Sequence, residues 1–435
     1  MYLPDYVQFC ISRLEHSGYA TYAVGGCVRD ALLGLTPHDY DLCTAATPAQ
    51  TATVFADCAL VRSGEKHGTI GVVTNGGVVE ITTFRTEGSY ADSRHPDFVR
   101  FVDQVELDLA RRDFTVNAMA YSPRRGLSDP FGGQEDLKKG ILRAVGNPDL
   151  RFQEDALRIL RGLRFAARFG FQIGENTRRA MNRQIAGLDS LARERVMTEL
   201  MGFLRAAKAA DLQNAVNILC RVVPELAPTV GFDQHNHHHI HDVFGHTAAV
   251  VEAAPPTTEL RLAALLHDIG KPKVFTLDEA GEGHFFGHAS RSAEIADDIL
   301  HRLNASNALR EEVVWLVKHH MDLYPAEEKT ARRLLSRHGL ERMERLLDLQ
   351  TADMGDQSEE LESLRQMLRE LAAKEGSLTL KTLAVKGADL MALGIPPGPA
   401  LGRKLNDILE KVLAGELPND RESILVSLLN LDKPP

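Results

Sequence analysis

The sequence predicts an α+β protein with a small sheet near the N-terminus and helices through most of the remaining chain. Two observations carry this. In TIGVVTNGGVVEITTF, β-branched runs flank Asn75-Gly76-Gly77, a hairpin signal because Asn and Gly accept the positive φ of a tight turn. From about residue 150 the spacing turns helical: EDALRILRGLRFAARF sets Leu157, Leu160, Leu163 and Phe165 on one stripe, with its arginines largely elsewhere.

Taken in order, ATYAVG (20–25) reads as a strand ending in Gly25-Gly26, residues 27–34 as a helix closed by Gly34, and HDYDLCT (38–44) as the next strand. The hairpin completes a small antiparallel or mixed sheet within the first 125 or so residues. Beyond it, Pro255-Pro256 and IPPGP (395–399) mark interruptions between helices.

A chain of 435 residues exceeds one ordinary core and implies several domains. Hydrophobic content of 44% and charge of 25% are those of a soluble globular protein. No uncharged apolar run approaches the roughly 18–20 residues that span a bilayer. The N-terminus lacks a signal-peptide layout, so a cytoplasmic location without membrane association is expected. Five cysteines with no C-x-x-C argue against a disulfide framework or a thiolate metal site. The net charge of −10 disfavours indiscriminate nucleic-acid binding. Residues 141–205 are nevertheless basic, twelve arginines against seven carboxylates for a net of +5, which points to a polyanion held near the middle of the chain.

On a strand, residues two apart share a face, so Asp39 and Asp41 are expected to point together and Tyr40 away. Paired carboxylates repel, and hard divalent ions relieve the repulsion. Two Mg²⁺ about 3.5–4 Å apart are the arrangement used for in-line phosphoryl and nucleotidyl transfer. Gly25-Gly26 lets backbone N–H groups approach a phosphate, and Arg29 offers a charge-assisted contact. Glu80, on the second hairpin strand, is either a third carboxylate or a solvent-facing residue.

GGCVRD, HDYDL, RRDFTVNAMAY, DPFGG and EDALRILRGLRF occur in this order over residues 20–235. The set resembles the bacterial class II tRNA CCA-adding nucleotidyltransferase and poly(A) polymerase family, of the polymerase β-like superfamily. The resemblance implies Mg²⁺ at Asp39 and Asp41, and nucleotide contacts from Gly25, Gly26, Arg29, Arg112, Asp113, Asn117, Asp155, Arg158 and Arg161. The partners it implies are tRNA, ATP and CTP. The family's E-D-x-x-R motif falls on Glu154, Asp155 and Arg158. Cytosine and adenine both present an amino donor beside an unprotonated ring nitrogen. A carboxylate and a guanidinium complement that edge, which uracil and guanine invert. At i and i+3 on a helix, Asp155 and Arg158 are expected on one face. A-only addition stays open beside CCA addition. Some relatives add only CC and have a shortened loop after the catalytic sheet; here residues 84–101 are full length.

A second constellation lies in the histidine-rich region that begins at HNHHHIHDVFGHT (235–247). The order His246, His267-Asp268, His288, His320 and Asp353 resembles the HD-domain phosphohydrolases. That resemblance implies a core metal site of His246, His267, Asp268 and Asp353, with His288 and His320 as ligands of a possible second ion; His319 is an alternative to His320. Imidazole with carboxylate suits a divalent transition metal. Lys271 is close enough in sequence to assist. A phosphohydrolase of which the N-terminal region is only an RNA-binding module is the competing reading. The C-terminal segment from KGADL (386–390) onward is similar to the tail of long bacterial CCA-adding enzymes. Together these resemblances imply a polymerase β-like head at 1–140 and an all-α neck for base recognition and RNA binding at 141–234. An HD-type domain at 235–360 and a helical tRNA-binding tail at 361–435 complete the chain.

Overall fold

A computed structural model describes residues 1–87, 99–235, 242–355, 359–375 and 379–431. Its sheet-forming strands begin with β1 (Thr21–Val24), β2 (Leu42–Thr44), β3 (Leu60–Val61), β4 (Thr69–Thr74) and β5 (Gly77–Thr83). β6 (Arg85–Glu87) and β7 (Val99–Phe101) form a separate two-stranded ribbon, and β8 (Ala120–Ser122) and β9 (Gly126–Ser128) follow. The main sheet has the order β3-β4-β5-β2-β1-β8-β9. It is mixed, because β2 joins β5 in parallel and β1 antiparallel.

The Asn-Gly hairpin forms as expected: β4 and β5 pair antiparallel from Thr69↔Thr82 to Thr74↔Gly77, leaving Asn75-Gly76 as the turn. Alternation puts Ile70, Val72, Val79 and Ile81 in the core. Part of the loop at 84–101 and of the histidine run at 235–247 lies outside the described residues.

Two elements differ from expectation. β2 begins only at Leu42, so Asp39 and Asp41 precede the strand, and only the Asp41 carbonyl continues the pairing by accepting from Val24 N–H at 3.0 Å. Leu42, Cys43 and Thr44 are all fully buried, and drawing two ionised carboxylates into that layer would cost their solvation. The helix expected from residue 154 breaks at Asp155, between Pro148–Glu154 and Leu157–Phe169. The Asp155 backbone is extended there, and its side chain accepts the Leu157 N–H at 2.9 Å. An aspartate that caps a new first turn competes with continuation of the old helix.

The chain divides into two compact units, residues Met1–Ala227 with His301–Ala305 and residues Pro228–Leu300 with Ser306–Pro435. The division lies close to the boundary expected at 234/235, while those expected at 140/141 and 360/361 fall inside a unit. In the first unit the sheet packs on helices through Phe114, which is fully buried and meets Phe165 edge to face at 6.1 Å. Among its described residues the second unit is helical apart from a hairpin of Thr276–Leu277 with Gly283–His284. Pro255-Pro256 and the IPPGP segment separate helices, as their sequence requires. No helix among the described residues is long and apolar enough to cross a membrane.

Phe114→Ala is expected to cost about 3–5 kcal/mol of stability, the range for a large-to-small change in a packed core. Chemical denaturation followed by circular dichroism checks it, with the loss appearing in the midpoint of the transition.

Candidate active site and candidate metal centre

β1 is followed directly by Gly25, whose φ of +77° is unfavourable for an L side chain. A Cβ there would also lie 2.9 Å from Nη1 of Arg112, so the guanidinium packs directly on the glycine backbone. Asp41 stands beside this corner. The pairing Leu42↔Ile81 sets Asp41 next to Glu80, both on the face opposite the buried Leu42 and Ile81. Both remain open to solvent. Partial desolvation pushes the Asp41 carboxyl above its ordinary pKa, the charges of Asp39 and Glu80 add to this, and Arg112 opposes it. Glu80 thus acts on Asp41 as the third member of an acidic cluster.

Asp113, next to Arg112, lies in the interior. Its Oδ1 accepts from Phe114 N–H at 2.8 Å and Asn117 Nδ2 at 3.1 Å. Its Oδ2 takes Arg161 Nε and Nη2 at 3.0 and 2.9 Å. Burial alone would raise this carboxyl, but the Arg161 charge and the hydrogen bonds outweigh it and hold the pKa below the usual value. Asn117 in turn accepts from Arg29 Nη1 at 2.6 Å. Arg29 is buried, bonds Asp30 at 2.6–2.8 Å, and lies over the rings of Phe165 and Phe169 at 5.2 and 4.6 Å. The expected role of Arg29 as a phosphate contact is therefore revised, since its guanidinium is committed to protein partners.

Asp155 and Arg158 do not share one helix face, because the helix breaks between them and their side chains have different anchors. Asp155 Oδ2 takes Arg195 Nη2 at 2.9 Å, whereas Arg158 donates to Glu154 at 2.6 Å and to the carbonyls of Arg151 and Arg111 at 3.1 Å. Arg161 is held by Asp113 and, at 3.8 Å, by Glu199.

Sequence reasoning missed Asp108. Its fully buried side chain accepts from Arg111 Nε and Nη2 at 3.0 and 2.9 Å, from Arg112 Nη2 at 3.4 Å, and from Arg85 N–H at 3.3 Å. An acid three and four positions before paired arginines, on an amphipathic turn, was the available signal.

In the second unit all six expected ligands converge. His246 Nε2 is 2.8 Å from Asp353 Oδ1 and 3.7 Å from Asp268 Oδ2. His267 Nε2 is 3.3 Å from Asp268 Oδ2 and 3.4 Å from Asp353 Oδ1. On the other side of Asp268, Oδ1 is 3.3 Å from His288 Nε2 and 3.9 Å from His320 Nε2. Among the described residues, His246-His267-Asp268 and Asp268-His288-His320 each bring their ligand atoms within 4.8 Å of one another. The Nδ1 atoms of His267, His288 and His320 face the carbonyls of Ala264, Phe285 and Val317 at 2.7–2.9 Å. Donating there keeps each Nε2 lone pair for a ligand. His319 instead meets Asp322 at 2.6 Å and packs on Trp315, which decides between the two histidines.

Buried His267 Nε2 and Asp268 Oδ2 lack well-directed hydrogen bonds, although Lys271 Nζ lies 2.8 Å from the latter and bonds Gln234 at 3.0 Å. Burial alone would lower His267, but Asp268 and Asp353 outweigh it and lift the ring to about 10; burial takes His320 down to about 4. The buried Asp268 and the partly buried Asp353 demand positive charge, and the Nε2 set fits a transition metal. Gly270 makes this packing possible: a Cβ there would meet Ser292 N at 2.7 Å and His288 O at 3.0 Å.

Comparison with known proteins gives the class first. Residues 21–143 match the Poly A polymerase head domain and residues 284–428 match tRNA nucleotidyltransferase domain 2, so the chain is a nucleotidyltransferase. The CCA-adding enzyme of Latilactobacillus sakei is 33% identical over 425 residues, 95% of each chain. That of Lacticaseibacillus paracasei is 34% identical over 418 residues, 95% of this chain and 93% of the relative. The crystal structure of the Bacillus stearothermophilus CCA-adding enzyme in complex with CTP matches with a TM-score of 0.76 at 29% identity, covering 99% of this chain and 98% of that one. The chain belongs to the CCA-adding enzyme family.

Asp108→Asn is expected to raise KM for both nucleoside triphosphates about tenfold, the effect of loosening one charged hydrogen-bond anchor. The same change made in an Arg112→Ala protein is expected to add little, because partners in one network are not additive. Steady-state kinetics on the four proteins of this double-mutant cycle check it.

Proposed function

We propose that the addition of C and A to the 3′ end of tRNA, from CTP and ATP and without a nucleic-acid template, takes place in this chain at the corner formed by Gly25, Asp41 and Arg112. The observation that carries this is the packing of Arg112 on the Gly25 backbone beside a solvent-open acidic cluster. Hard carboxylate oxygens with no soft ligand among them suit Mg²⁺. Bound there by Asp39 and Asp41, Mg²⁺ would offset triphosphate charge and favour ionisation of the attacking tRNA hydroxyl.

The remaining roles belong to the chain's own groups. Arg112 and the backbone N–H groups of Gly25-Gly26 receive phosphate oxygens, where fixed donors cost no reorganisation. Asp113 and Asn117, locked to Arg161 and Arg29, stand next to the nucleotide's ribose. Asp155 accepts from the exocyclic amine of cytosine or adenine and Arg158 donates to the ring nitrogen. In the free chain Arg195 holds Asp155 and Glu154 holds Arg158, each from its own support. The basic stretch at 141–205 supplies phosphate contacts to tRNA. We place the enzyme in the cytoplasm with that substrate.

A second activity rests on its own observation, the two sets His246-His267-Asp268 and Asp268-His288-His320, whose possible ligand atoms each lie within 4.8 Å of one another. This set would hold one or two transition-metal ions and supply Lewis acidity and an acidified water for phosphoester hydrolysis. In that reaction water adds to phosphorus, the ester P–O bond breaks, and the departing oxygen takes a proton. Lys271 keeps Asp268 oriented.

Asp41→Asn is expected to reduce CTP and ATP incorporation at least a thousandfold while tRNA affinity stays within a factor of about two, since these carboxylates act on transition-state charge. Primer extension on tRNA lacking its terminal CCA, with filter binding alongside, tests this; incorporation near the wild-type rate would sink the assignment. Asp268→Ala is expected to remove protein-bound transition metal and phosphoesterase activity yet leave Mg²⁺-dependent addition intact. Metal analysis, both assays and a melting curve decide it, because a ligand loss can also unfold the surrounding helices.

A further inference from the structure

The segment that carries Asp39 and Asp41 is not held by the sheet. Pairing of β2 starts at Leu42, and the turn after the preceding helix ends where Leu35 N–H donates to the Asp30 carbonyl at 2.9 Å. Between these points, no hydrogen bond among the described residues is made by the backbone of Thr36 to Tyr40. A loop of this kind opens readily unless side chains fix it. Two carboxylates that share metal ions must nevertheless keep one geometry.

The side chain that fixes it is Tyr40, between the two aspartates. Its ring meets that of Tyr6 edge to face, with the planes at 90° and the centroids 6.3 Å apart. Asp39 and Asp41 stay exposed on either side, while Tyr40 is half-buried. Tyr6 lies in the first turn of the Asp5–His16 helix, which is anchored in the core by Val7, Cys10, Ile11 and Leu14. The same ring rests on the β4-β5 turn: a Cβ added to Gly76 would lie 2.2 Å from its Cδ1 and 2.6 Å from its Cγ. Gly76 is not in the left-handed region, so the ring and not the backbone excludes a side chain there. One aromatic ring thus touches both the loop with Asp39 and Asp41 and the hairpin whose second strand carries Glu80.

We propose that Tyr6 is a positioning residue for nucleotide addition: through Tyr40 it holds Asp39 and Asp41 in register with Glu80 before a metal ion arrives. This rests on the assignment of Asp39 and Asp41 to Mg²⁺ made above. In this role Tyr6 touches neither nucleotide nor tRNA, and its contribution is to where charge is offset in the transition state. A preorganised cluster does not have to order its own loop on binding, and rate falls steeply with small misplacement of reacting groups. An edge-to-face contact needs the ring and not the hydroxyl. Glycine at position 76 belongs to the same device, because a larger residue would push the ring off its seat.

The test uses the full chain with Mg²⁺, CTP and tRNA lacking its terminal CCA. Tyr6→Ala is expected to lower kcat roughly tenfold to a hundredfold, with KM for CTP and for tRNA unchanged. Tyr6→Phe should keep the wild-type rate. Gly76→Ala, which leaves both tyrosines in place, should reproduce the loss, and Tyr6→Ala combined with Tyr40→Ala should be no slower than Tyr40→Ala alone. Hydrogen exchange in the metal-free protein gives a readout independent of turnover: in Tyr6→Ala the amides of residues 38–42 should exchange roughly tenfold faster while those of β4 and β5 keep their rates. A wild-type kcat in Tyr6→Ala, a loss that appears in KM, or a loss shared by Tyr6→Phe overturns the proposal. So does a uniform rise in exchange over the whole first unit, which would make Tyr6 a residue of general stability. Should Tyr6→Ala fail to fold, Gly76→Ala decides alone, and a wild-type kcat there overturns the proposal. Incorporation by Asp41→Asn near the wild-type rate overturns the metal assignment itself, whereas an inactive Asp41→Asn beside an unaffected Tyr6→Ala removes only the positioning role.

Discussion

The first unit depends on the ion pair between Asp113 and Arg161. Asp113 comes from the turn after the Val105–Ala110 helix, Arg161 from the Leu157–Phe169 helix, and their two contacts at 2.9–3.0 Å tie the sheet to the neck. The pair is one link in a continuous polar path. From Asp30 it runs through Arg29, Asn117, Asp113 and Arg161 to Glu199, which also holds Arg164 at 2.6 Å. Burying such charges is costly, and a well-packed apolar substitute would often be as stable. What the path supplies is registry. It couples the region of the Gly25-Gly26 corner to the Leu157–Phe169 helix and keeps the two in one spacing.

The two candidate sites follow opposite electrostatic logic. At Asp39, Asp41 and Glu80 the carboxylates stay in water, and mutual repulsion is moderated by solvent and by Arg112. An open, oxygen-only cluster suits an ion that keeps part of its own hydration and leaves with product. Around Asp268 the ligands are closed in by helices, and three histidines are fixed from behind by backbone carbonyls. That arrangement is rigid before any ligand arrives, and it depends on Gly270, where the helix beginning at His288 comes within reach of a missing side chain. Match of residues 284–428 to tRNA nucleotidyltransferase domain 2 places part of this cluster inside a domain associated with the transferase. One chain thus carries a nucleotidyltransferase head and a second, closed cluster of histidines and aspartates.

Asp108 shows how much can hang on a residue outside every motif. By accepting from both arginines of the R-R-D segment and from the first residue of β6, it fixes Arg112 and the root of the β6-β7 ribbon together. A single buried charge serves there because it can accept from several donors at once.

The sequence by itself determined the small sheet and its Asn-Gly hairpin, the helical remainder, and the residue types of both sites. These features follow from local rules: the φ a turn requires, the period of apolar residues, and the ligand preferences of carboxylate and imidazole. The six members of the Asp268 cluster were legible through the resemblance of their order to that of HD-domain phosphohydrolases. Only the tertiary structure decided where Asp39 and Asp41 stand relative to β2, since strand length was limited by the solvation of their charges. It also decided that Asp155 ends one helix and caps the next, that Arg29 serves Asn117, and that His320 rather than His319 faces the cluster. Each of these is a choice among hydrogen-bond partners, many of them distant in sequence. A charged side chain takes the partner that packing brings within about 3 Å, and no spacing rule in the linear chain specifies which one that will be.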